Sequence, residues 1–488
     1  MPATNRKIES RDVGYGWLVV FSAFCLTFIT DGLVFAFGIM LVEIVEQFEE
    51  GRASTGVIVS VASGTMHLIG PLAGALSDYY GCRIIVIIGS VISCVGFILS
   101  VFATNVYHLW ITYGFLGGFG FGLMYIPANV CVLHNFKKQR TLANGIVVCG
   151  SGIGTFVFNL LTRFCIDTYG WRGTILLEAG IALQGAILGL FLVRITPPNN
   201  SESVALSTDE RTDPQIDYEL HVIQDMEPGN HIEYTPESQT NTKQTRQQND
   251  DKINKSKTFI IKTIMESMFD IKLLTDIRCF LFLMSTFMIN LAFTIPFNLL
   301  PDQALESGMT KYEASWLTSS IGITNTVSRL LIGWLGDRPF VNRMILSEVL
   351  LVLTGIITGL SPLVTTFDTK MIYTCLFGVL IGGYITLYGV LLVDLFGEDM
   401  ISKSFGLVMF SVGISGFIST PIGGLLFDVT GNYNISFIVS GIEFVLGGLF
   451  LLLCKVCQPR DDKSHKIKTN FQCVAESGNN INIDDNVS

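Results

Sequence analysis

The chain reads as an all-α membrane protein, with twelve transmembrane helices arranged as two bundles of six. Three observations predict this. Of its 488 residues, 49% are hydrophobic and only 15% are charged, whereas a soluble domain carries about a quarter charged residues. Twelve apolar runs follow one another along the sequence, each near the length of about 20 residues that a helix needs to cross a hydrocarbon core of about 30 Å. One long polar segment separates the first six runs from the last six.

The runs cover 16–42, 54–76, 84–103, 109–132, 144–164, 173–195, 279–300, 315–335, 344–364, 371–393, 405–427 and 435–456. They are too long and unbroken for barrel strands, and an isolated strand would leave its backbone groups unpaired in lipid. The first run is as long as a full span and follows polar residues of mixed charge, so it is expected to stay in the mature chain as a helix and not to act as a signal peptide. Glycine (48 residues) and phenylalanine (35 residues) are abundant; the first suits close helix approach and the second a lipid face. The expected organisation is a tail over 1–15, a six-helix bundle over 16–195, a linker over 196–276, a second bundle over 277–456 and a tail over 457–488.

Basic residues set the orientation. Arg6, Lys7, Arg11, Arg83, Lys137, Lys138, Arg140, Arg194, Arg338, Arg343, Lys403, Lys455 and Arg460 fall on the side of both termini, against Arg52, Arg163, Arg172, Lys311 and Lys370 on the other. Both tails and the linker are therefore expected in the cytosol. The linker is acidic early (Asp209, Glu210, Asp213, Asp217, Glu219), basic in its middle (Lys252, Lys255, Lys257) and too polar to fold alone. Its end differs. Ile260, Ile264, Met268 and Ile271 share one helical face and Lys262, Glu266 and Asp270 another, as in an amphipathic helix over 259–276 lying on the membrane; an early extension of the seventh helix reads equally well.

Several chemistries find no support. The formal charge of −10 argues against nucleic acid. Cys25, Cys94, Cys131, Cys149 and Cys375 fall inside apolar runs and behave there as small hydrophobes. Cys454 and Cys457 form a C-x-x-C without a second Cys or His pair, which reads as a helix end or as a palmitoylation site, not as a metal site. The glycines of the fourth run (114, 117, 118, 120, 122) and of the fifth (150, 152, 154) follow no strand and lack a P-loop lysine. Close helix packing explains them. No cofactor, metal or catalytic constellation is expected, and without an ATP motif any transport must draw on gradients.

The two halves repeat one another. Gly74-Ala-Leu-Ser-Asp78, with Arg83 following, matches Gly333-Trp-Leu-Gly-Asp337, with Arg338 and Arg343 following. Gly145, Asp167, Gly170 and Gly180 recur with the same spacings as Gly406, Asp428, Gly431 and Gly441. A parallel six-helix repeat is the architecture of facilitator-type transporters, and the run from Gly74 to Arg83 resembles the signature loop of the major facilitator superfamily. Three segments narrow the resemblance to the monocarboxylate transporter family of solute carriers. Asp12-Val-Gly-Tyr-Gly-Trp17 is similar to that family's lead into its first helix. Phe136-Lys-Lys-Gln-Arg-Thr-Leu-Ala-Asn-Gly145, followed by Gly150-Ser-Gly152, is similar to its signature at the fifth. Val393-Asp-Leu-Phe-Gly397, with Gly406 beyond it, resembles its tenth-to-eleventh loop. The resemblance implies a plasma-membrane symporter or facilitator for a small organic anion, with a coupled ion and, as for some relatives, an accessory single-pass glycoprotein. Two departures stand out. Phe35 occupies the place of the first-helix lysine of lactate-carrying members, and Asn325-Thr-Val-Ser-Arg329 keeps the arginine of their eighth-helix Asp-x-x-x-Arg pair but loses the acid.

Ionisable groups inside spans are costly and should face a cavity or a partner. Asp31, near the middle of the first helix, is a candidate for the transport path or a buried brace. Arg329, sharing a small polar stripe with Gly322, Asn325, Gly333 and Gly336, is the candidate anion anchor, although a snorkelling role would also fit its position. Tyr384 and Tyr388 on the tenth helix and Asn290 and Asn298 on the seventh are candidate neutral contacts, the tyrosines also being readable as packing. Asp78, Arg83, Asp337, Arg338 and Asp394 are candidate gate residues at helix ends, where an acid can cap a neighbouring helix or pair with arginine. Glu178, Glu348 and Glu443 read as structural, and His67 as a hydrogen-bonded packing residue or a titratable one. The expected function is alternating-access transport of a small organic anion, such as a monocarboxylate. The alternatives are a neutral or zwitterionic metabolite in the same fold, and a non-transporting receptor, which would have little use for Asp31 and Arg329 in spans.

Overall fold

A computed structural model describes residues 14–49, 52–194, 268, 270–430 and 432–457. Most of the expected surface helix at 259–276 lies outside these residues, as do nearly all of the linker and both tails. Among the described residues the regular structure is helical throughout. The helices are α1 (Tyr15–Phe48), α2 (Arg52–Leu68 and Gly70–Tyr80), α3 (Cys82–Val101), α4 (Val106–Asn135), α5 and α6 (140–169 and 171–189), α7 (Ile277–Glu306), α8 (Lys311–Gly336), α9 (Arg343–Leu360), α10 (Phe367–Phe396), α11 (Ile401–Thr430) and α12 (Tyr433–Val456).

Nine of the described helices are long and apolar enough to cross a membrane, and α2, bent by 44° ahead of Gly70, makes a tenth when its two pieces are taken together. The remaining two follow from geometry. The stretch Arg140–Gly189 is one continuous apolar helix only in outline. Gly170, at φ 69°, turns the chain between α5 and α6, a left-handed conformation that glycine adopts without steric cost. Helix α8 has 26 residues, about 39 Å at 1.5 Å per residue. It falls short on apolarity because Thr318, Ser319, Ser320, Thr324, Asn325, Thr326, Ser328 and Arg329 interrupt it. Its start is fixed by a capping box in which Thr310 and Glu313 satisfy one another's backbone donors. Asn342 and Asn432 cap α9 and α12 in the same spirit.

Helices α1–α6 form one bundle and α7–α12 the other. They meet where α2 packs on α11 and α5 on α8. The contact is close because glycine faces backbone on both sides. A Cβ on Gly145 would lie 2.6 Å from the carbonyl oxygen of Arg329, and one on Gly406 would lie 2.6 Å from that of Gly70. The face at which α1 begins and α12 ends is called the terminal face here. Among the described residues, the hydrogen bonds and ion pairs between halves all lie at this face or near mid-helix. The single turn Ile271–Leu274 docks at the same face, with Leu273 against Cys279 and Leu407. Lys403 there donates to Asp270 at 2.8 Å.

Candidate functional site

Two groups of side chains join the halves, a latch at the terminal face and a polar cluster near mid-membrane. In the latch, Asp78 at the end of α2 accepts hydrogen bonds from Ser402 at the start of α11 (2.6 Å) and from Arg194 after α6 (2.9 Å). Asp337 after α8 accepts from the first backbone amides of α5, Thr141 and Leu142, both at 2.9 Å. Those amides have no partner inside their own helix, so a carboxylate placed there satisfies them and meets the positive end of the helix dipole. Arg343 bridges Asp337 (3.3 Å) and Asp394 (3.1 Å), and buried Arg140 pairs with Glu398 at 2.7 Å.

Three of the expected gate residues, Asp78, Asp337 and Asp394, are thus held in this network. The other two sit elsewhere. Arg83 is exposed at the start of α3 and Asp78 is held instead by Arg194. Arg338 lies 3.9 Å over the Trp334 ring. Arg140, Arg194, Glu398 and Ser402 were missed by sequence reasoning because their partners lie far away in the chain; the only local hint was their position at helix ends.

The central cluster is built around Asp31 of α1 and Arg329 of α8. Asp31 lies beside Ser151 of α5, with His67 of α2 and Arg329 in its surroundings. Arg329 is 8% exposed, too deep for the snorkelling alternative. Its Nη1 donates to the Val148 carbonyl across the interface between halves, and its Nε has no hydrogen-bond partner among the described residues. Among those residues no carboxylate stands within ion-pair distance of it. Tyr125 of α4 and Tyr388 of α10 lie beside one another, close to Asp31 and Arg329. The Tyr388 ring also stacks on Phe405 at 6.0 Å and neighbours Tyr384 at 6.4 Å. Cys149 of α5 completes the surroundings of Arg329.

The other expected site residues fall around this cluster. Phe35 is one turn beyond Asp31 and half-exposed. Asn325 is buried one turn before Arg329, where α10 approaches its backbone through Gly378 and Gly382. Asn290 commits its amide to Val412 (3.1 Å) and Ser415 (2.8 Å) of α11, which braces α7 on α11 within the second half. Asn298 is on α7, and its side chain lies outside the described set. Sequence reasoning did not single out Tyr125, Ser151 or Cys149, and it gave His67 no place beside Asp31. Tyr125 was hidden in a glycine-rich run read as packing. Glu178, read as structural, is buried among hydroxyls, with Tyr113 and Thr162 each donating at 3.4 Å. Among the described residues no group of three or more His, Cys, Asp or Glu comes together to hold a metal ion.

Two facing six-helix bundles with a latch at one face and a buried charged cluster between them define a secondary transporter of the major facilitator type. The chain matches the Major Facilitator Superfamily over residues 23–248 and 281–474 and belongs to it. Within that superfamily it belongs to the monocarboxylate transporter family. It is 30% identical to monocarboxylate transporter 12-B of Danio rerio, covering 96% of this chain and 94% of that one. It is 28% identical to monocarboxylate transporter 14 of Mus musculus, covering 93% of each. Among solved structures it is similar to the proton:xylose symporter XylE (TM-score 0.64, 15% identity, 90% of this chain and 95% of that one). It is also similar to the human organic anion transporter MFSD10 (TM-score 0.59, 12% identity, 89% and 99%). At these identities the structural likeness is one of fold. The protein is a multi-pass membrane transporter, not an enzyme, with a small-molecule substrate and the lipid bilayer as its surroundings.

Proposed function

We propose that the protein moves a small organic anion, a monocarboxylate or related metabolite, across the plasma membrane by alternating access. The observation that carries this reading is Arg329. It is a buried guanidinium at the junction of the halves, with one donor spent on Val148 and Nε unpartnered among the described residues. A carboxylate leaving water must recover its hydration from matched donors, and a planar fork supplies two parallel bonds where lysine supplies a point charge. Tyr388, Tyr384, Phe35 and Asn325 surround the path as neutral contacts. The terminal face is taken as cytosolic, because Arg140, Arg194, Arg338, Arg343 and Lys403 gather there. On this reading, closure of the latch on that face belongs to the outward-facing state of the cycle.

The experiment is uptake of a panel of short monocarboxylates and amino acids into proteoliposomes and into cells, with and without a co-expressed single-pass glycoprotein, by wild type and Arg329→Lys at equal protein amounts. Arg329→Lys is expected to lower carboxylate uptake about 10- to 100-fold, the worth of one charge-assisted hydrogen bond. Wild-type uptake by this variant would remove the anion reading. One observation favours a second reading. Asp31 is the acid in the surroundings of Arg329, so a substrate carrying a cationic group as well as a carboxylate could satisfy both. Saturable uptake of zwitterions but not of simple carboxylates would select it.

A further inference from the structure

We infer that the first bundle carries, on its lipid-facing side between α5 and α6, a binding site for a membrane lipid whose head is an uncharged hydroxyl, with Glu178 as the group that receives it. A cavity of about 380 Å³ lies there. Phe158 and Leu161 of α5 and Leu177 and Ile181 of α6 form its walls, and Thr162 and Glu178 supply polar surface. None of the residues of the central cluster lines it. The cavity opens toward lipid: Leu161 and Leu177 are exposed on the outside of the bundle, as are Leu160, Phe164 and Leu176 beside them. Gly180 also borders it, and a Cβ there would meet nothing within 4 Å, so no neighbouring helix takes up the space.

Glu178 is 3% exposed, and among the described residues no Lys, Arg or His stands within ion-pair distance of it. Its two partners hold it loosely. Tyr113 and Thr162 donate at 3.4 Å each, beyond the range of about 2.5–3.0 Å for a hydroxyl bonded to oxygen. Tyr113 is fixed where it stands, its ring stacked on Phe97 at 4.5 Å and 4.3 Å from Phe37. It belongs to a π-helical stretch of α4, Trp110–Gly117, a rare form that concentrates at functional sites. A buried acid with no cation and two long bonds has capacity for a further partner, and the cavity leads to it. Depth selects the chemistry of that partner. Glu178 lies eight residues past the Gly170 turn, about 12 Å along the helix at 1.5 Å per residue. A phospholipid headgroup cannot follow that far into hydrocarbon, and any charged head would have to shed its hydration to do so. A hydroxyl can. It donates to a carboxyl oxygen and accepts from the acid or from Thr162, while its apolar body fills the space along the four wall residues.

The test uses the full-length protein in phosphatidylcholine proteoliposomes and the apolar reagent dicyclohexylcarbodiimide. A carboxylic acid adds across one C=N bond of this reagent, the acid proton passing to nitrogen. Modification of Glu178 is measured by peptide mass spectrometry. Wild type is expected to be modified at Glu178, and the yield should fall saturably, on the order of tenfold, as cholesterol or dioleoylglycerol is added. Which of the two protects tells a sterol source from a glyceride source. Gly180→Leu fills the cavity and should be modified little, with no dependence on either lipid. Thermal unfolding of the same samples gives a second readout: the protecting lipid should raise the melting temperature of wild type and leave that of Gly180→Leu unchanged. No modification of Glu178 in wild type, or modification that neither hydroxyl lipid reduces, overturns the site. Protection by octadecylamine and by neither hydroxyl lipid overturns the assignment of the head.

Discussion

The two ends of the latch are built on one plan and differ in strength. Asp78 and Asp337 hold equivalent places in the repeat, and each reaches the first turn of the opposite half's fifth helix. Gly74 packs against Ser402 and Gly333 against the Thr141 carbonyl. Two turns before each aspartate, the carbonyls of Gly70 and Arg329 receive the matching glycines Gly406 and Gly145. The backbone contacts are therefore symmetric, while the polar ones are not. Asp337 is 11% exposed and bonds two helix-end amides with both oxygens, while Asp78 is 30% exposed and meets only side chains. The repeat also places a glycine in one half where the other has Arg329. A duplicated fold has kept its hinge contacts in register and broken its symmetry at the charged site, which is where a substrate without two-fold symmetry would need it broken.

The largest effect is expected from Asp337→Asn. Asparagine can accept from one amide of α5 but turns an N–H donor toward the other, and it loses the charge opposite the helix end and Arg343. Charge-assisted bonds of this kind are worth about 1.5–3 kcal/mol, and the helix-end charge adds up to about 2 kcal/mol in a partly buried site. We expect the closed latch to lose about 3 kcal/mol, roughly a hundredfold change in the ratio of closed to open. Distances between spin labels at positions 80 and 399 should lengthen, and transport should slow at normal surface amounts. Asp78→Asn is expected to move the same distances in the same direction by only about fivefold, roughly 1 kcal/mol. Its partners are part-exposed, and solvent screens such pairs. Equal shifts in the two variants would show that the symmetric glycine contacts, not the polar ones, set the balance.

How far these features could be read from sequence divides along the same line. The helices are legible because lipid demands long apolar runs, and the one helix that fails on apolarity, α8, fails because Asn325, Arg329 and their neighbours point to a polar interior. Asp78 and Asp337 are legible because the repeat marks them and helix ends call for acids. Their partners are not, since Arg194 and Ser402 meet Asp78 only after two bundles have docked. His67 and Tyr125 are hidden for a different reason. Each sits alone in an apolar run, where packing is the ordinary explanation, and only the docking of α1, α2, α4, α8 and α10 brings them beside Asp31 and Arg329. The bend in α2 ahead of Gly70 has a local signal in Gly70-Pro71, where proline supplies no amide to the preceding turn, but inside one long apolar run the same pair fits a single span with a kink.

Arg83 gives the smallest expected effect and tests how much of the signature loop works in this state. The sequence pairs it with Asp78 as a gate element. In the structure it stands exposed at the start of α3, while Arg194 donates to both Asp78 and Ser402, at 2.9 and 3.0 Å. An exposed arginine outside the latch contributes little to its closure, and surface substitutions of this kind usually stay within about 0.5 kcal/mol. Arg83→Gln is therefore expected to leave the label distances at 80 and 399 unchanged, whereas Arg194→Gln should lengthen them about as much as Asp78→Asn does, because it removes the other half of the same pair. If Arg83→Gln slows transport while the distances in the resting state stay put, Arg83 finds its partner only after the latch has opened, and the signature loop serves the other end of the cycle. If the distances themselves lengthen as in Asp78→Asn, the assignment of Arg194 as the partner of Asp78 is wrong.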